Sequence, residues 1–287
     1  MVTAIPATGR ALVRLTLAVA ALAIALPIQA GSKLLGTGGT SSIEGSAGGG
    51  IVPWATIAGY ASSDEWSATA GYNRVLVDDF QLTTHSAAVS YDNHYELSLA
   101  RQQFWIAPLQ LSLEQQIIGV KVKVAGDLLY SDLPQLSVGA QFKHQQRFEV
   151  PQAVGALRQN GIDWYASVSK VYLDAIWGRN LLTNATVRLT KANQTGLLGF
   201  GSSDATQYQA VAELSAALLV RHDVAIGIEF KQKPNQLAFA REDHWKDLFV
   251  GWFINRNVSI VAGYVDLGSI AQLDDQTGFY FAIQGAY

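Results

Sequence analysis

The chain has 287 residues, of which 49% are hydrophobic and 15% charged, no cysteine, and a formal net charge of −3. Disordered chains combine few apolar residues with much charge, and soluble domains carry about 25% charged residues, so this composition excludes disorder and disfavours a cytosolic enzyme. Without cysteine there is no disulfide scaffold or thiol chemistry. The weak negative charge predicts no nucleic-acid partner. A membrane protein fits the composition, either helical or β-stranded.

The N-terminal thirty residues have the pattern of a secretory signal. Arg10 and Arg14 precede an apolar stretch over residues 15–26, and the segment ends at the small residue Ala30. The stretch is shorter than the about 20 apolar residues of a membrane span. A cleaved signal peptide over residues 1–30 is therefore expected, with an uncleaved anchor as the alternative. Residues 31–287 are expected to form a single domain.

Beyond residue 30 the apolar residues alternate with polar ones instead of forming long runs. Residues 119–124 place valines at 120, 122 and 124 against lysines at 121 and 123, and residues 224–231 alternate in the same way. A period of two residues predicts β-strands with two different faces. No run of eighteen apolar residues follows residue 30, so transmembrane helices are not predicted.

A soluble β-sandwich also alternates, but three features favour a membrane barrel. The alternating segments cover about 10 to 14 residues, which suits a tilted membrane crossing better than a soluble strand of about 5–6. Their less apolar face is rich in Gly, Ser, Thr and Gln, and aromatic residues cluster near segment ends. We therefore predict an all-β protein, a transmembrane antiparallel up-and-down β-barrel.

The last strand carries the clearest single signal. Phe279, Phe281, Ile283 and Tyr287 lie on one face of an alternating segment that ends at an aromatic residue. This pattern is similar to the C-terminal insertion signal of bacterial outer-membrane barrels. It predicts the barrel-assembly machinery as a partner during biogenesis.

Connection lengths suggest the number of strands. Short connections alternate with long ones, as expected for short periplasmic turns and long external loops. Because outer-membrane barrels have an even strand number, one strand near residues 41–48 must precede the thirteen readable segments, and fourteen strands are favoured. Twelve is the alternative, if residues 37–75 form a plug or an irregular edge. The readable segments are 49–61, 64–74, 82–92, 94–105, 116–128, 133–146, 161–174, 180–192, 206–220, 222–231, 246–255, 257–267 and 276–287.

The alternation assigns most strand charges to the interior, because a charge facing lipid costs about 2–4 kcal/mol near the membrane centre. Both signs occur in nearly equal number. The set can therefore form an electrostatic constriction for small polar solutes, or cross-barrel ion pairs. The predicted lumen-lining residues are Glu44, Glu96, Lys121, Lys123, Lys143, Arg188, Glu213, Glu229 and Lys231.

One loop concentrates mixed charge at Arg241, Glu242 and Asp243. It is predicted to fold into the mouth of the barrel as a constriction. One alternative is a weak cation site that includes Asp247. The other is a solvated loop with local ion pairs, and it is favoured over the cation site. No metal and no cofactor are predicted.

No catalytic site is predicted. None of the five histidines has a serine or carboxylate partner at a recurring spacing, as a nucleophilic site requires. The glycine-rich residues 36–39 lack the Lys-Ser/Thr of a phosphate-binding loop and are not followed by a βαβ unit. Glycine there is expected to permit a bend or a close approach of the backbone.

Several stretches resemble a bacterial family, domain of unknown function 3034, whose members are expected to be outer-membrane proteins. The resemblance covers nearly the whole chain after residue 30 and implies an exported barrel, without implying catalytic or binding residues. The stretches are Ile43-Glu44-Gly45, Gly48-Gly49-Gly50, Pro53-Trp54, Lys191-Ala192-Asn193-Gln194, Gly196, Gly199-Phe200-Gly201, Lys233-Pro234-Asn235, Phe239-Ala240-Arg241-Glu242-Asp243 and Tyr264-Val265-Asp266-Leu267-Gly268.

The expected protein is a monomeric barrel of the bacterial outer membrane, in contact with its lipid, that acts as a passive channel or transporter for small solutes. One alternative is a closed barrel with a structural or interaction role in the envelope. The other, which the residues support least, is an outer-membrane lipid-modifying enzyme.

Overall fold

A computed structural model describes residues 33–203 and 205–287, and the predicted signal peptide lies outside the described residues. No helix among the described residues is long and apolar enough to cross a membrane. The elements are β1 (Thr40–Ser41), β2 (Ala47–Gly48), β3 (Trp66–Val77), β4 (Phe80–Tyr91), β5 (Tyr95–Ile106), β6 (Leu111–Ala125), β7 (Gln135–Gln145), α1 (Glu149–Ala153), β8 (Asn160–Ile176), β9 (Arg179–Thr190), a 3-10 turn (Gln194–Gly196), β10 (Gln209–Arg221), β11 (Val224–Lys231), β12 (Trp245–Phe253), β13 (Val258–Asp266) and β14 (Thr277–Ala286).

The long strands β3–β14 form one closed antiparallel barrel in which each strand pairs with its neighbours in sequence. β14 and β3 close the barrel with a continuous register from Gly278↔Val77 to Ala286↔Thr69. Closure leaves no unpaired strand edge in the barrel wall. The predicted fold class, an antiparallel up-and-down β-barrel, is confirmed.

The barrel has twelve strands, so the favoured number of fourteen is wrong for the wall and the alternative of twelve is correct. Residues 41–48 and 49–61, predicted as the first two wall strands, form no long strand and lie inside the barrel. Their strand pairing consists of the two-residue pairing of β1 with β2 and one isolated bridge between Gly48 and Pro53. These residues are mainly Gly, Ser, Ala and Thr, so they offer no continuous apolar face to lipid. Pro53 also cannot donate to a strand ladder.

Side chains alternate between the two faces of the wall. In β12, Trp245, Asp247 and Phe249 point inward and are buried, whereas Leu248 and Val250, which lie on the alternate positions, are exposed. Large apolar side chains are exposed on the outer face of most other strands as well. The scattered apolar residues of the sequence thus form an outer surface suited to lipid.

The interior contains an apolar region that the predicted polar lumen did not include. Ile43 and Ile51 pack in one buried cluster with Phe80, Leu113 and Val265 of the wall. Burying an apolar side chain of this size contributes roughly 1.5–3 kcal/mol. Apolar packing therefore adds to the polar contacts that hold the interior together.

The two ends of the barrel differ in their connections. At one, called the turn end below, Asp92 and Asn93 take positive φ in the short β4–β5 turn, a conformation that Asp and Asn tolerate. Tyr287 pairs with Ala68 at this end. The opposite loop end carries the connections 146–159, 191–208, 232–244 and 267–276, and also the short links 78–79 and 107–110, which are shorter than predicted.

A plug held by the charged interior of the barrel

Residues 38–61, called the plug below, are buried throughout. The chain approaches from the turn end, where Gly36 lies against the ring of Phe253. There the Lys33 Nζ donates to the carbonyl oxygens of Ile57 and Gly59, both at 3.2 Å. The lumen is thus occupied by the chain's own N-terminal part.

Glu44, at the centre of the plug, binds three basic side chains of the wall. Its carboxylate lies 2.5 Å from Lys143 Nζ, 2.8 Å from an Arg188 nitrogen and 2.9 Å from Lys231 Nζ. Gly45 makes this placement possible, because its φ of 89° lies in the left-handed region and a Cβ there would lie 2.8 Å from that of Ala100. A single plug carboxylate therefore connects strands β7, β9 and β11.

Arg188 extends these contacts into a network, called the central cluster below. Its guanidinium reaches Glu213 at 2.7 Å, Gln141 at 2.8 Å and Asp163 at 3.3 Å, in addition to Glu44. Charge-assisted bonds to a planar guanidinium are the strongest hydrogen bonds available to side chains. The central cluster consists of Glu44, Lys143, Asp163, Arg188, Glu213 and Lys231.

A second attachment lies on β5 and β6. Lys121 Nζ donates to the carbonyl oxygens of Ala47 and Thr56, both at 2.9 Å, and lies 3.2 Å from Glu96. The Glu96 carboxylate in turn accepts the backbone N–H groups of Ala47 at 3.2 Å and Ala58 at 2.9 Å. The pair thus satisfies donors and acceptors of plug backbone that forms no regular structure.

A third attachment is Glu229 on β11. Its carboxylate accepts the backbone N–H groups of Gly50 and Ile51, both at 2.7 Å, and the Trp54 indole N–H at 3.2 Å. The hydroxyl of Ser215 donates to the same carboxylate at 2.6 Å. Four donors therefore converge on one buried acceptor.

Neutral side chains of β7 and β9 complete the attachment. The carbonyl oxygen of Ala55 accepts Gln135 and Ser137, each at 2.6 Å, and that of Pro53 accepts Thr186 at 2.9 Å. Among the described residues, no backbone–backbone hydrogen bond joins the plug to a wall strand. The plug is therefore held by side chains alone.

Two loops close the loop end through a buried contact that we call the latch. Lys233 Nζ donates to Gln194 Oε1 at 2.8 Å, lies 3.6 Å from Glu242, and sits 4.8 Å from the centre of the Trp245 ring. The backbone N–H of Gln194 donates to Glu242 at 2.9 Å. Thr195, next to Gln194, accepts Lys143 Nζ at 3.1 Å, so the latch connects to the central cluster.

Burial makes the latch sensitive to pH. It lowers the pKa of Lys233 to about 8, opposed in part by the charge of Glu242. Burial also raises the pKa of Glu242, opposed by Lys233. Above pH 8 the unfolded chain keeps a proton on Lys233 that the folded chain has released, so this residue makes stability rise with pH up to the ordinary Lys value.

We expect Lys233→Met to remove this rise between pH 8 and 10, which amounts to at most about 1.4 kcal/mol per pH unit. The measurement is the thermal midpoint of the barrel in detergent as a function of pH. Lys246→Met is the matched control, since Lys246 is largely exposed beside Asp266. Equal pH profiles of the two variants would show that Lys233 is not the titrating group.

The structure places the predicted lumen residues as follows. Glu96, Lys121, Lys143, Arg188, Glu213, Glu229 and Lys231 are buried on the inner face of the wall, and Glu44 lies on the plug. Lys123 lies near the turn end, 3.6 Å from Asp127. Lys143, Arg188, Glu213 and Lys231 are therefore brought together around Glu44. Glu96 pairs with Lys121, and Glu229 binds the plug on its own. Lys123 stays apart from all of them.

The three residues of the predicted mouth loop lie in two different environments. Glu242 is buried in the latch, whereas Arg241 and Asp243 are more exposed and lie 3.8 Å apart. Within residues 33–203 and 205–287 no three His, Asp or Glu side chains are grouped as metal ligands would be. The residues of the predicted insertion signal, Phe279, Phe281, Ile283 and Tyr287, are all exposed on the outer face.

Three interior residues were missing from the predicted set. Asp163 alternates with the outward-facing Ile162 and Trp164, so its inward position was readable from the sequence. Trp54 and Lys233 had no such signal, because the plug and the latch are irregular. Their roles depend on contacts between segments far apart in sequence.

The apolar outer face, the closed strand order and the charged interior define the protein as an outer-membrane type of β-barrel. Within that class, the chain belongs to the family described as Protein of unknown function (DUF3034), whose sequence model matches residues 37–284. The resemblance found in the sequence is thereby confirmed. A comparison with curated proteins found no match.

Solved structures similar to the chain include three outer-membrane proteins. The KdgM porin is 10% identical, with a TM-score of 0.48 over 76% of this chain and 99% of that chain. The NanC porin is 12% identical, with a TM-score of 0.48 over 77% and 98%. Omp33 of Acinetobacter baumannii is 11% identical, with a TM-score of 0.45 over 77% and 97%. The topology described above rests on the strand pairing of this chain itself.

Proposed function

We propose that the protein is a passive outer-membrane channel for small solutes, closed by the plug in the conformation described here. The observation that carries this proposal is how the plug is attached. It is bound to the wall by side chains such as Glu96, Lys121 and Glu229, without strand pairing. Water or a polar solute can replace side-chain contacts of this kind.

Removal of the plug would turn the interior into a pore lined partly by polar and charged side chains and partly by the apolar region around Phe80, Leu113 and Val265. The side chains that now hold Glu44 and the plug backbone would then line it, with both signs of charge at close quarters. Mixed charge in a narrow pore favours small polar or zwitterionic solutes over ions of one sign. This solute class is part of the proposal.

We also propose an orientation and a route of assembly, which are supported by the difference between the two ends of the barrel. We place the turn end in the periplasm and the loop end outside, as in outer-membrane barrels generally. The exported chain would be inserted as a monomer by the barrel-assembly machinery, which would recognise Phe279, Phe281, Ile283 and Tyr287 on the outer face of β14. Neither the channel nor the candidate below needs a catalytic group.

A permanently closed barrel with a structural role in the envelope is the second candidate. It is favoured by how completely the plug contacts are satisfied. Glu229 accepts four donors and Lys121 reaches three acceptors. The two candidates differ in one property, which is whether the plug ever leaves the lumen.

A disulfide tether tests this property directly. Ala58 of the plug packs with Ala88 of β4 in a small buried cluster, and the chain has no cysteine of its own. The double variant Ala58→Cys/Ala88→Cys is recorded in planar bilayers before and after reduction. We expect openings in the reduced state and a silent barrel after oxidation, because the tether keeps the plug inside.

The two single-cysteine variants are the controls, and neither should respond to the redox state. Heat-modifiable gel mobility verifies that each variant forms a barrel. If wild type and the reduced double variant are both silent, and a folded chain lacking residues 38–61 is silent too, the channel proposal is wrong. The structural candidate then remains.

A further inference from the structure

The buried interior contains one pair of acidic side chains that no basic side chain accompanies. Glu229 and Asp247 lie directly opposite each other on β11 and β12. Every other buried acidic side chain of the described interior lies within 4.0 Å of a Lys or Arg, whereas neither of these two does. Two ionised carboxylates side by side in a medium of low dielectric repel each other strongly.

The two carboxylates also differ in their hydrogen bonds. Glu229 is fully occupied by Gly50, Ile51, Trp54 and Ser215. Asp247 is 7% exposed, and both of its carboxylate oxygens lack a hydrogen-bond partner among the described residues. The backbone N–H of Glu229 faces this carboxylate but does not reach hydrogen-bonding geometry. A buried carboxylate without partners is costly unless a cation or a proton joins it.

A second unpartnered group borders the same space. Tyr280 on β14 is 2% exposed, and its hydroxyl has no hydrogen-bond partner among the described residues. This hydroxyl lies against Gly50, where an added Cβ would collide with it, and Gly50 also donates its N–H to Glu229. The Asp247 carboxylate and the Tyr280 hydroxyl thus lie beside the contact of Glu229 with the plug, and neither has a hydrogen-bond partner among the described residues.

The remaining surroundings contain no compensating charge. The residues of β13 that stand between β12 and β14 here, Gly263 and Val265, are uncharged. Lys231, the nearest basic residue along β11, is engaged by Glu44 at 2.9 Å and Glu213 at 3.7 Å. The plug contributes Gly49, Gly50 and Ile51 here, and none of them is charged.

We propose that Asp247, beside the occupied carboxylate of Glu229, binds one small monovalent cation, either a proton or a metal ion such as Na⁺. Its oxygen ligands would be the Asp247 carboxylate and the Tyr280 hydroxyl. By cancelling one negative charge, the cation leaves Glu229 free to accept the N–H groups of Gly50 and Ile51. The inference concerns how the plug is anchored and holds whether or not the barrel conducts.

Two measurements on the purified full-length protein distinguish the occupants. A bound proton predicts an infrared C=O band of a protonated carboxyl group at neutral pH that Asp247→Asn removes. A bound metal ion predicts a thermal midpoint that is higher in NaCl than in choline chloride of equal ionic strength, with no such band. In both cases Asp247→Asn loses the response, while Asp266→Asn keeps it, because Asp266 is a partly exposed carboxylate that lies 3.7 Å from Lys246.

Either response in wild type, lost in Asp247→Asn, supports the proposal and names the occupant. A folded wild-type protein with neither the band nor a sodium effect overturns it. The same holds if Asp247→Asn keeps the wild-type response. Since both responses are read in wild type first, the proposal can fail even if the variant does not fold.

Discussion

Replacing Arg188 by alanine is expected to lower the free energy of unfolding by about 3–5 kcal/mol. The arginine is 2% exposed and binds Glu44, Asp163 and Glu213 at once. Lys143 and Lys231 alone would then face three buried carboxylates. Breaking a buried ion network by removing one partner is costly because the uncompensated charges stay in a medium of low dielectric.

The measurement is a urea titration of the barrel folded into lipid vesicles, followed by tryptophan fluorescence. Arg221→Ala is the matched control, because Arg221 pairs with Asp223 at the surface with its side chain 65% exposed. Such surface pairs contribute about 0–1 kcal/mol. A loss in Arg188→Ala no larger than in this control would contradict the role given to the central cluster.

Arg188→Lys separates charge from geometry. Lysine keeps the positive charge but has one nitrogen, whereas the guanidinium uses three nitrogens to reach four side chains. We therefore expect a smaller loss than for alanine but no full rescue, since the two residues are not equivalent at a site of this geometry.

The wall of the barrel was predictable because a strand obeys a local rule. Residues that alternate with outward-facing valines, such as Lys121 in β6, must point inward whatever the rest of the chain does. The same rule applies to Arg188 and Glu229 in their strands. Fold class and the inward face of most charges could therefore be read from the sequence.

The plug was not predictable in the same way, and the physical reason lies in residues 41–61. Parts of this stretch alternate small and apolar residues, which led to its prediction as strands, although no continuous apolar face results. The stretch is excluded from the wall because twelve other strands already close the barrel, and because side chains inside the barrel bind it. Both causes are properties of the whole chain. The alternation of short and long connections, together with the rule of an even strand number, then led to fourteen strands, two more than the wall contains.

The contacts of Glu44 show, for a single residue, what a local sequence pattern cannot predict. Glu44 is buried inside the barrel, but it lies on the plug and not on a wall strand as predicted. Its three partners come from residues 143, 188 and 231, which are separated from it by about 100 to 190 positions. No local pattern encodes contacts over such distances.

Gly49→Ala is expected to release the plug, with the largest effect on conductance of any single substitution considered. An added Cβ at Gly49 would collide with the carboxylate of Glu229. Moving that carboxylate leaves the N–H groups of Gly50 and Ile51 without their acceptor. Each unpaired buried donor costs about 1–3 kcal/mol.

The loss of even one of these two bonds changes the equilibrium between plugged and unplugged barrels by roughly five- to 150-fold. If the barrel is a channel, its open probability in planar bilayers should rise by that factor. Gly251→Ala is the matched control, because it makes the same substitution on the inner face of β12, where the nearest atom is 3.7 Å away in the Phe253 ring. This control should record like wild type.

Two further observations separate plug release from general damage. Gly49→Ala should keep its heat-modifiable mobility, because residue 49 pairs with no wall strand and the twelve-strand wall does not depend on it. Combining it with the oxidised Ala58→Cys/Ala88→Cys tether should return the barrel to silence. A folded Gly49→Ala barrel that stays as closed as Gly251→Ala would mean that Glu229 does not hold the plug. A conductance that persists under the tether would mean that ions pass beside the plug while it remains in place.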